Sequence, residues 1–323
     1  MRKVPVLLLT TLLTAGTVAL AGDLTPPGAP APTMKTLAQV EPRTPISSIP
    51  VTITQSGSYY LTRDMGPAAQ DTNGVTIQVD NVTIDLNGFT LIGAGKAVGT
   101  SGSAIVLDGT RYNVAIRNGT IRDWRAFGIL GSGGCNSQIE SLRCYNNGYD
   151  GIAAGQGSII RGNCCYENGE SGISAAGPNT LCDNTCMENK NGIVANGGST
   201  ILGNTCYHNS ELGIRCSEKG NTVSFNTCSF NGTDGIYISN FGGCQIVNNT
   251  CSSNGNGGDG AGIHALGNGS CIEHNLVCLN DRGIDVDWAG NYIASNRASA
   301  NTTNYDIAGG NTQGAGDLAN VSF

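Results

Sequence analysis

The sequence predicts an all-β fold, a right-handed parallel β-helix of about ten or eleven stacked coils. Three observations carry this. A Gly-Ile pair returns along most of the chain, an Asn-x-Cys signature recurs between the pairs, and Gly makes up 48 of 323 residues while charged residues make up only 13%. The pairs are Gly128-Ile129, Gly151-Ile152, Gly172-Ile173, Gly192-Ile193, Gly213-Ile214, Gly235-Ile236, Gly262-Ile263 and Gly283-Ile284, and the intervals between their isoleucines are 23, 21, 20, 21, 22, 27 and 21 residues. Helical hairpin arrays need a longer period, about 33 residues or more, and helix-forming sequence. No stretch here has a 3.6-residue apolar period, and short apolar runs alternate with Gly and Asn. The L-x-x-L-x-L spacing of leucine-rich repeats is also missing. One such coil is too small to bury what it must order, so the coils have to stack and the two ends of the stack need covering.

Taken in chain order, Arg2 and Lys3 followed by the apolar stretch Val4 to Leu13 and Ala19-Leu20-Ala21 read as a signal peptide over residues 1–21. A retained membrane anchor would need about 20 continuous apolar residues, and Thr10, Thr11, Thr14, Gly16 and Thr17 interrupt this one. The protein is therefore expected to be secreted, extracellular or periplasmic, with no membrane span after cleavage. Residues 22–48 form a Pro-rich leader. The β-helix is expected over 49–310, opened by a cap hairpin in which Val51-Thr52-Ile53 and Tyr59-Tyr60-Leu61 flank Gln55-Ser56-Gly57-Ser58, and residues 311–323 form a tail. Loss of the signal leaves 24 acidic against 15 basic side chains, a net charge of −9. With no basic stripe, a nucleic-acid partner is excluded.

Alternation along each strand assigns the inward columns. The isoleucine of each pair points inward, and so does the residue two further on: Ala154, Ala175, Ala195, Cys216, Ile238, Ala265 and Val286. A second inward file is aliphatic (Ile160, Leu181, Ile201, Val223, Ile246). Cys144, Cys165, Cys186, Cys206, Cys228 and Cys251 form a third. These thiols can be buried small hydrophobes, disulfides between coils or a metal-binding ladder. Three residues after each Cys stands an Asn (Asn168, Asn189, Asn209, Asn231, Asn254), expected at turns, where the amide bonds along the stack and accepts a left-handed backbone.

With Asn73-Gly74-Val75-Thr76-Ile77 and Asn81-Val82-Thr83-Ile84-Asp85-Leu86-Asn87-Gly88 opening these repeats, the chain resembles the pectate-lyase-like right-handed parallel β-helix superfamily over about residues 49–310. The resemblance implies the fold. It leaves activity open, because the superfamily holds lyases, hydrolases, epimerases, tailspikes and adhesins. It also implies signatures that this sequence lacks. His264 stands in Gly262-Ile263-His264-Ala265 rather than in Gly-His-Gly, no Arg-x-Lys follows, and the chain has only five lysines, so no motif supplies a catalytic base.

Solenoids bind along exposed faces. The residue after each repeat isoleucine changes along the stack from Ala153, Ser174 and Val194 to Arg215, Tyr237, His264 and Asp285. At about 4.8 Å per coil the last four span roughly 15 Å, enough for a few sugar units. Arg215 is suited to holding a carboxylate and Tyr237 to stacking on a ring. His264 is suited to moving a proton, and Asp285 and Asp287, on one face by alternation, to acid-base work or to binding Ca2+; no cofactor is otherwise required. The long interval, around Gly255-Asn256-Gly257-Gly258-Asp259, is expected to overhang this strip. An outward file of Tyr145, Tyr166, Met187 and Tyr207 is a second candidate platform for glycans. The functional expectation is a secreted protein that binds, and cleaves or epimerises, polysaccharide. The alternative is a noncatalytic surface or adhesion scaffold.

Overall fold

The structure is a computed structural model that describes residues 41–66, 68–96, 101–255, 257–316 and 319–322; the signal peptide and most of the leader lie outside them. Every regular element is a short strand, and every pairing between strands is parallel. Twelve strands carrying the Gly-Ile pairs and their upstream counterparts stack into one sheet, from Val51–Ile53 to Thr303–Ile307. A second sheet of 22 strands holds the aliphatic and cysteine files side by side. Each coil thus contributes one strand to the first sheet and, in the regular part, two to the second, as in Ile152–Ala154, Ile159–Arg161 and Cys164–Tyr166. Twelve coils is slightly more than the periodicity predicted, because the first and last coils lack the Gly-Ile pair.

Register follows the repeat. Ile152 lies over Ile173, Ile173 over Ile193, and Cys165 over Cys186. The inward columns fill the interior without exposure, with Ile173, Ile193, Leu181, Ile201, Cys186 and Cys206 all fully buried. Each isoleucine so buried contributes about 1.5–3 kcal/mol. The third file also accepts larger side chains, with Leu91 and Ile121 before the cysteines and Val277 after them, and Ala298 follows in the same register. All thirteen cysteines are thiols. Burial and the neighbouring sulfurs push Cys228 well above the ordinary thiol range, and a hydrogen bond to Cys165, together with burial, does the same to Cys144.

Asparagine forms two buried ladders. In one, Asn163 accepts from the Leu142 main chain, and Asn184, Asn204, Asn226, Asn249, Asn275 and Asn296 each accept, through Oδ1, from the main chain and side-chain amide of the asparagine in the coil before; Asn204 N and Nδ2 reach Asn226 Oδ1 at 2.8 and 3.0 Å. The other runs from Asn147 through Asn168, Asn189, Asn209, Asn231, Asn254 and Asn280 to Asn301. Here the expectation needs a correction. The left-handed residue is the one before each asparagine, namely Glu167, Glu188, His208, Phe230, Ser253 and Leu279, while the asparagine amide bridges the turn. The left-handed residue turns the chain and the buried amide satisfies the polar backbone exposed by that turn.

Both ends differ from the sequence expectation. Val51–Ile53 pairs in parallel with Val75–Ile77, and Gly57–Leu61 pairs in parallel with Thr44–Ile46 and Val82–Asp85. The two segments therefore belong to different sheets and form the first coil, not a cap hairpin, and regular structure begins within the leader at Thr44. The tail also stays in the stack: Thr312–Gln313 pairs with Tyr292–Ala294, and Val321–Ser322 with Arg297–Ser299.

Candidate functional site

The outward strip assembles as a row. Arg215 lies beside Tyr237, Tyr237 beside His264, His264 beside Asp285, and the row continues to Asp306. The rings of Tyr237 and His264 meet edge to face at 5.6 Å, and the Arg215 guanidinium lies 6.0 Å from the Tyr237 centroid. The strand alternation that buries Ile236 and Ile263 is what turns these side chains outward.

His264 is the hub. Its Nδ1 lies 3.3 Å from Asp234 Oδ2, and its Nε2 lies 3.5 Å from Asp287 Oδ2 and 3.7 Å from Asp285 Oδ2. Burial works against the charged ring, but the hydrogen bond to Asp234 and the fields of Asp234, Asp285 and Asp287 outweigh it and raise the His264 pKa to about 9. At neutral pH the ring is an imidazolium and a proton donor. Asp234 is itself fixed, because Oδ1 accepts from the Ala261 amide at 2.7 Å.

Asp285 does not stand free on the surface as expected; it is 2% exposed. Its side chain leaves the sheet outward but is covered by His264 and by the guanidinium of Arg282, three residues upstream, which bonds it directly. Burial raises its carboxyl pKa, and the Arg282 and His264 cations oppose that. Asp287, two residues on, remains 43% exposed at its side chain. Arg282 also bonds Asp259 of the long loop and lies 3.5 Å from Asp306.

The predicted overhang is present. Gly258, Asp259 and Gly260 stand over the strip and, with Asp234, Tyr237 and His264, enclose a cavity of about 480 Å³. The loop is held down by Arg282 at Asp259 and by Asp281, which accepts from the Gly258 amide at 2.9 Å. Sequence reasoning missed Asp234 and Arg282. Both precede a Gly-Ile pair, at the position just before the glycine, where earlier coils carry Asp150, Ser171 and Asn191, so an acidic-basic change in that column was the available signal.

His264, Asp285 and Asp287 are the one group, among the described residues, whose donor atoms lie close enough to share a metal, all within 4.8 Å of one another. Calcium takes six to eight oxygens. Here one of three donors is a nitrogen and one carboxylate is already bonded to Arg282, so the set does not fit calcium. Among the described residues, no helix is long and apolar enough to cross a membrane.

A parallel solenoid with buried asparagine ladders and one outward strip edged by a loop defines a parallel β-helix protein. Residues 69–230, half of the chain, match the family model for the right handed beta helix region, and the chain belongs to that family. Among solved structures it is similar to the A-modules of two Azotobacter vinelandii mannuronan C-5 epimerases. For AlgE6 the identity is 16%, with 83% of this chain and 91% of that chain covered and a TM-score of 0.66; for AlgE4 the values are 14%, 81%, 91% and 0.66. A double mutant of the periplasmic alginate epimerase AlgG is similar at 14% identity, covering 83% of this chain and 74% of that one, with a TM-score of 0.52. These likenesses describe the fold. No curated protein matches the sequence.

Proposed function

We propose that the strip from Arg215 to Asp287 binds polysaccharide in an exported protein, with His264 as a proton donor and Asp287 as the exposed carboxylate facing the sugar. The observation that supports this reading is the placement of His264, its Nδ1 3.3 Å from Asp234 and its ring edge-on to Tyr237, in a cavity that the long loop helps to line. Tyr237 offers a stacking face, and Arg215 a donor at the edge. The epimerases similar in fold carry names that refer to polyuronates, yet this strip is crowded with carboxylates. Asp234, Asp259, Asp285, Asp287 and Asp306 outnumber Arg215, His264 and Arg282, and a uronate chain would meet repulsion. Abstraction of a sugar C–H proton, as lyases and epimerases require, would have to fall to Asp287, because the His264 imidazolium at the centre of the site is an acid. Donation to a glycosidic oxygen needs an acid and a nearby carboxylate, and both are here. The chemistry supported best is therefore hydrolysis, or binding, of a neutral polysaccharide.

Purified protein incubated with xylan, mannan, cellulose, alginate and polygalacturonate tests this. New reducing ends from a neutral polymer, abolished by His264→Ala, support the hydrolase. Binding without turnover leaves the noncatalytic scaffold. Unsaturated or C5-inverted uronates would overturn the assignment of His264 as donor. Because the donor set does not fit calcium, the outcome expected in EDTA equals that in millimolar calcium; dependence on calcium would restore the cation reading of Asp285 and Asp287.

A further inference from the structure

We infer that the saccharide track does not end at the His264 cavity but continues around the corner of the solenoid into a second groove, with Phe230 as its stacking platform for an uncharged pyranose unit. This inference rests on the polysaccharide reading above and extends it to residues off the strip.

The second groove is a cavity of about 790 Å³ lined by Lys96, Glu188, Lys190, His208, Phe230 and Ser253, among others. Glu211 and Gly232 line both cavities, so the two spaces adjoin. Its floor is the turn column that follows the cysteine strands, in which Glu188, His208, Phe230 and Ser253 occupy the same left-handed position of four successive coils. A groove crossing four coils, each about 4.8 Å high, matches a run of a few sugar units laid along the stack.

Phe230 is the informative residue. It is 53% exposed and its backbone φ is 56°, a conformation that bulky side chains rarely adopt. Neither feature supports the fold. The column accepts residues as different as Asn146, Glu167 and Ala300 at the same backbone angle, so the turn does not call for an aromatic. Phe225 and Leu279 share the conformation and the exposure, and Phe230 is the one of these that lines the groove beside the His264 cavity. Its ring meets Tyr207 edge-on at 5.6 Å, and Tyr207 in turn stacks against His208 at 5.7 Å. This braces an open apolar face at the groove's edge, the arrangement that suits the C–H face of a pyranose.

The charges set the class of ligand. Lys190 is paired with Glu170 at 3.0 Å, and Lys96 donates to the Glu167 carbonyl at 2.6 Å. Glu188 and Glu211 match the two lysines in number and Glu170 adds a further carboxylate at Lys190, so the groove offers donors and acceptors with no excess of positive charge. Hydroxyl-rich, uncharged units satisfy such a lining, whereas a polyanion or a nucleic acid would find no excess of cations.

Isothermal titration of the full chain with neutral disaccharides and hexasaccharides of xylose, mannose and glucose tests the inference, using wild type, Phe230→Asn and His264→Ala. Asparagine tolerates the left-handed backbone, so Phe230→Asn is expected to keep the native unfolding temperature. The wild type should bind one hexasaccharide roughly five- to tenfold more tightly than its disaccharide. Phe230→Asn should lose that gain while its disaccharide affinity stays unchanged, and His264→Ala should weaken both. A hexasaccharide affinity unaltered by Phe230→Asn would overturn the second groove while leaving the polysaccharide reading in place. No binding of any of these sugars by the wild type would end both.

Discussion

The coils around Ile173 to Ile214 and those around Ile236 to Ile284 have the same interior and different exteriors. Inside, isoleucine, a second small or aliphatic residue, and two asparagine ladders run through both regions without interruption. Outside, the first region presents Ser174 and Val194, and its turns are short; the second presents Tyr237, His264 and Asp285 beneath a loop that lengthens the interval to 27 residues. The difference teaches that in this solenoid the buried half of each strand specifies the coil and the exposed half is left free to vary. An insertion is tolerated at a corner because register is held by neighbours above and below, not by coil length.

This separation can be tested. The largest effect is expected from the shared interior. In Asn226→Ala the side-chain hydrogen bonds with Asn204, with Asn249 Oδ1 and to the Ile201 carbonyl vanish and buried partners are left unpaired, while the main-chain bond from residue 226 to Asn249 Oδ1 remains. A loss of about 3 kcal/mol in urea unfolding is expected, without change in the affinity of any bound sugar at temperatures where the variant is folded. A loss below about 0.5 kcal/mol would mean that the ladder decorates the coil and does not specify it.

Next comes the pH dependence of the outer hub. The His264 pKa is raised to about 9, against about 6.5 in an unfolded chain. Its contribution is therefore complete below about pH 6.5 and disappears as pH rises through about 9. Relative to His264→Gln, the wild type should lose on the order of 2 kcal/mol across that window. A difference that grows with rising pH would refute the imidazolium.

Smaller still, Cys206→Ala should cost about 1 kcal/mol, the value of a small buried group, and leave the outer face untouched. In the intact protein the buried cysteines should resist thiol reagents until it is unfolded. Smallest of all, Asp259→Ala removes an exposed partner of Arg282 and should change stability by about 0.5 kcal/mol or less, while loosening the loop enough to weaken sugar binding at the cavity. Equal losses from Asn226→Ala and Asp259→Ala would erase the distinction between the two halves of the strand.

The interior was the legible part of the sequence, since Ile, Cys and Asn recur there at fixed spacing and stacking puts like over like. The row from Arg215 to Asp285 was legible for the same reason: the residue after each isoleucine must share a file. What the repeat could not show lies between files. Asp285 was expected on the surface because alternation points it outward, yet Arg282 and His264 cover it, and no periodicity encodes a side chain folding back across its own strand. Asp234 reaches His264 from the preceding coil through a contact that only the coordinates reveal. The cap hairpin failed because two short strands about a Gly-Ser turn look alike whether they pair with each other or climb to the next layer.

The bonding of the asparagine ladders carries a last consequence. Each amide donates two ways, to the Oδ1 of the asparagine in the following coil and to a main-chain carbonyl of the preceding one, as Asn226 Nδ2 does to Asn249 Oδ1 and to the Ile201 carbonyl. Every interior asparagine is therefore tied to three coils at once, its own and the two that flank it, so a break at one rung is felt both above and below.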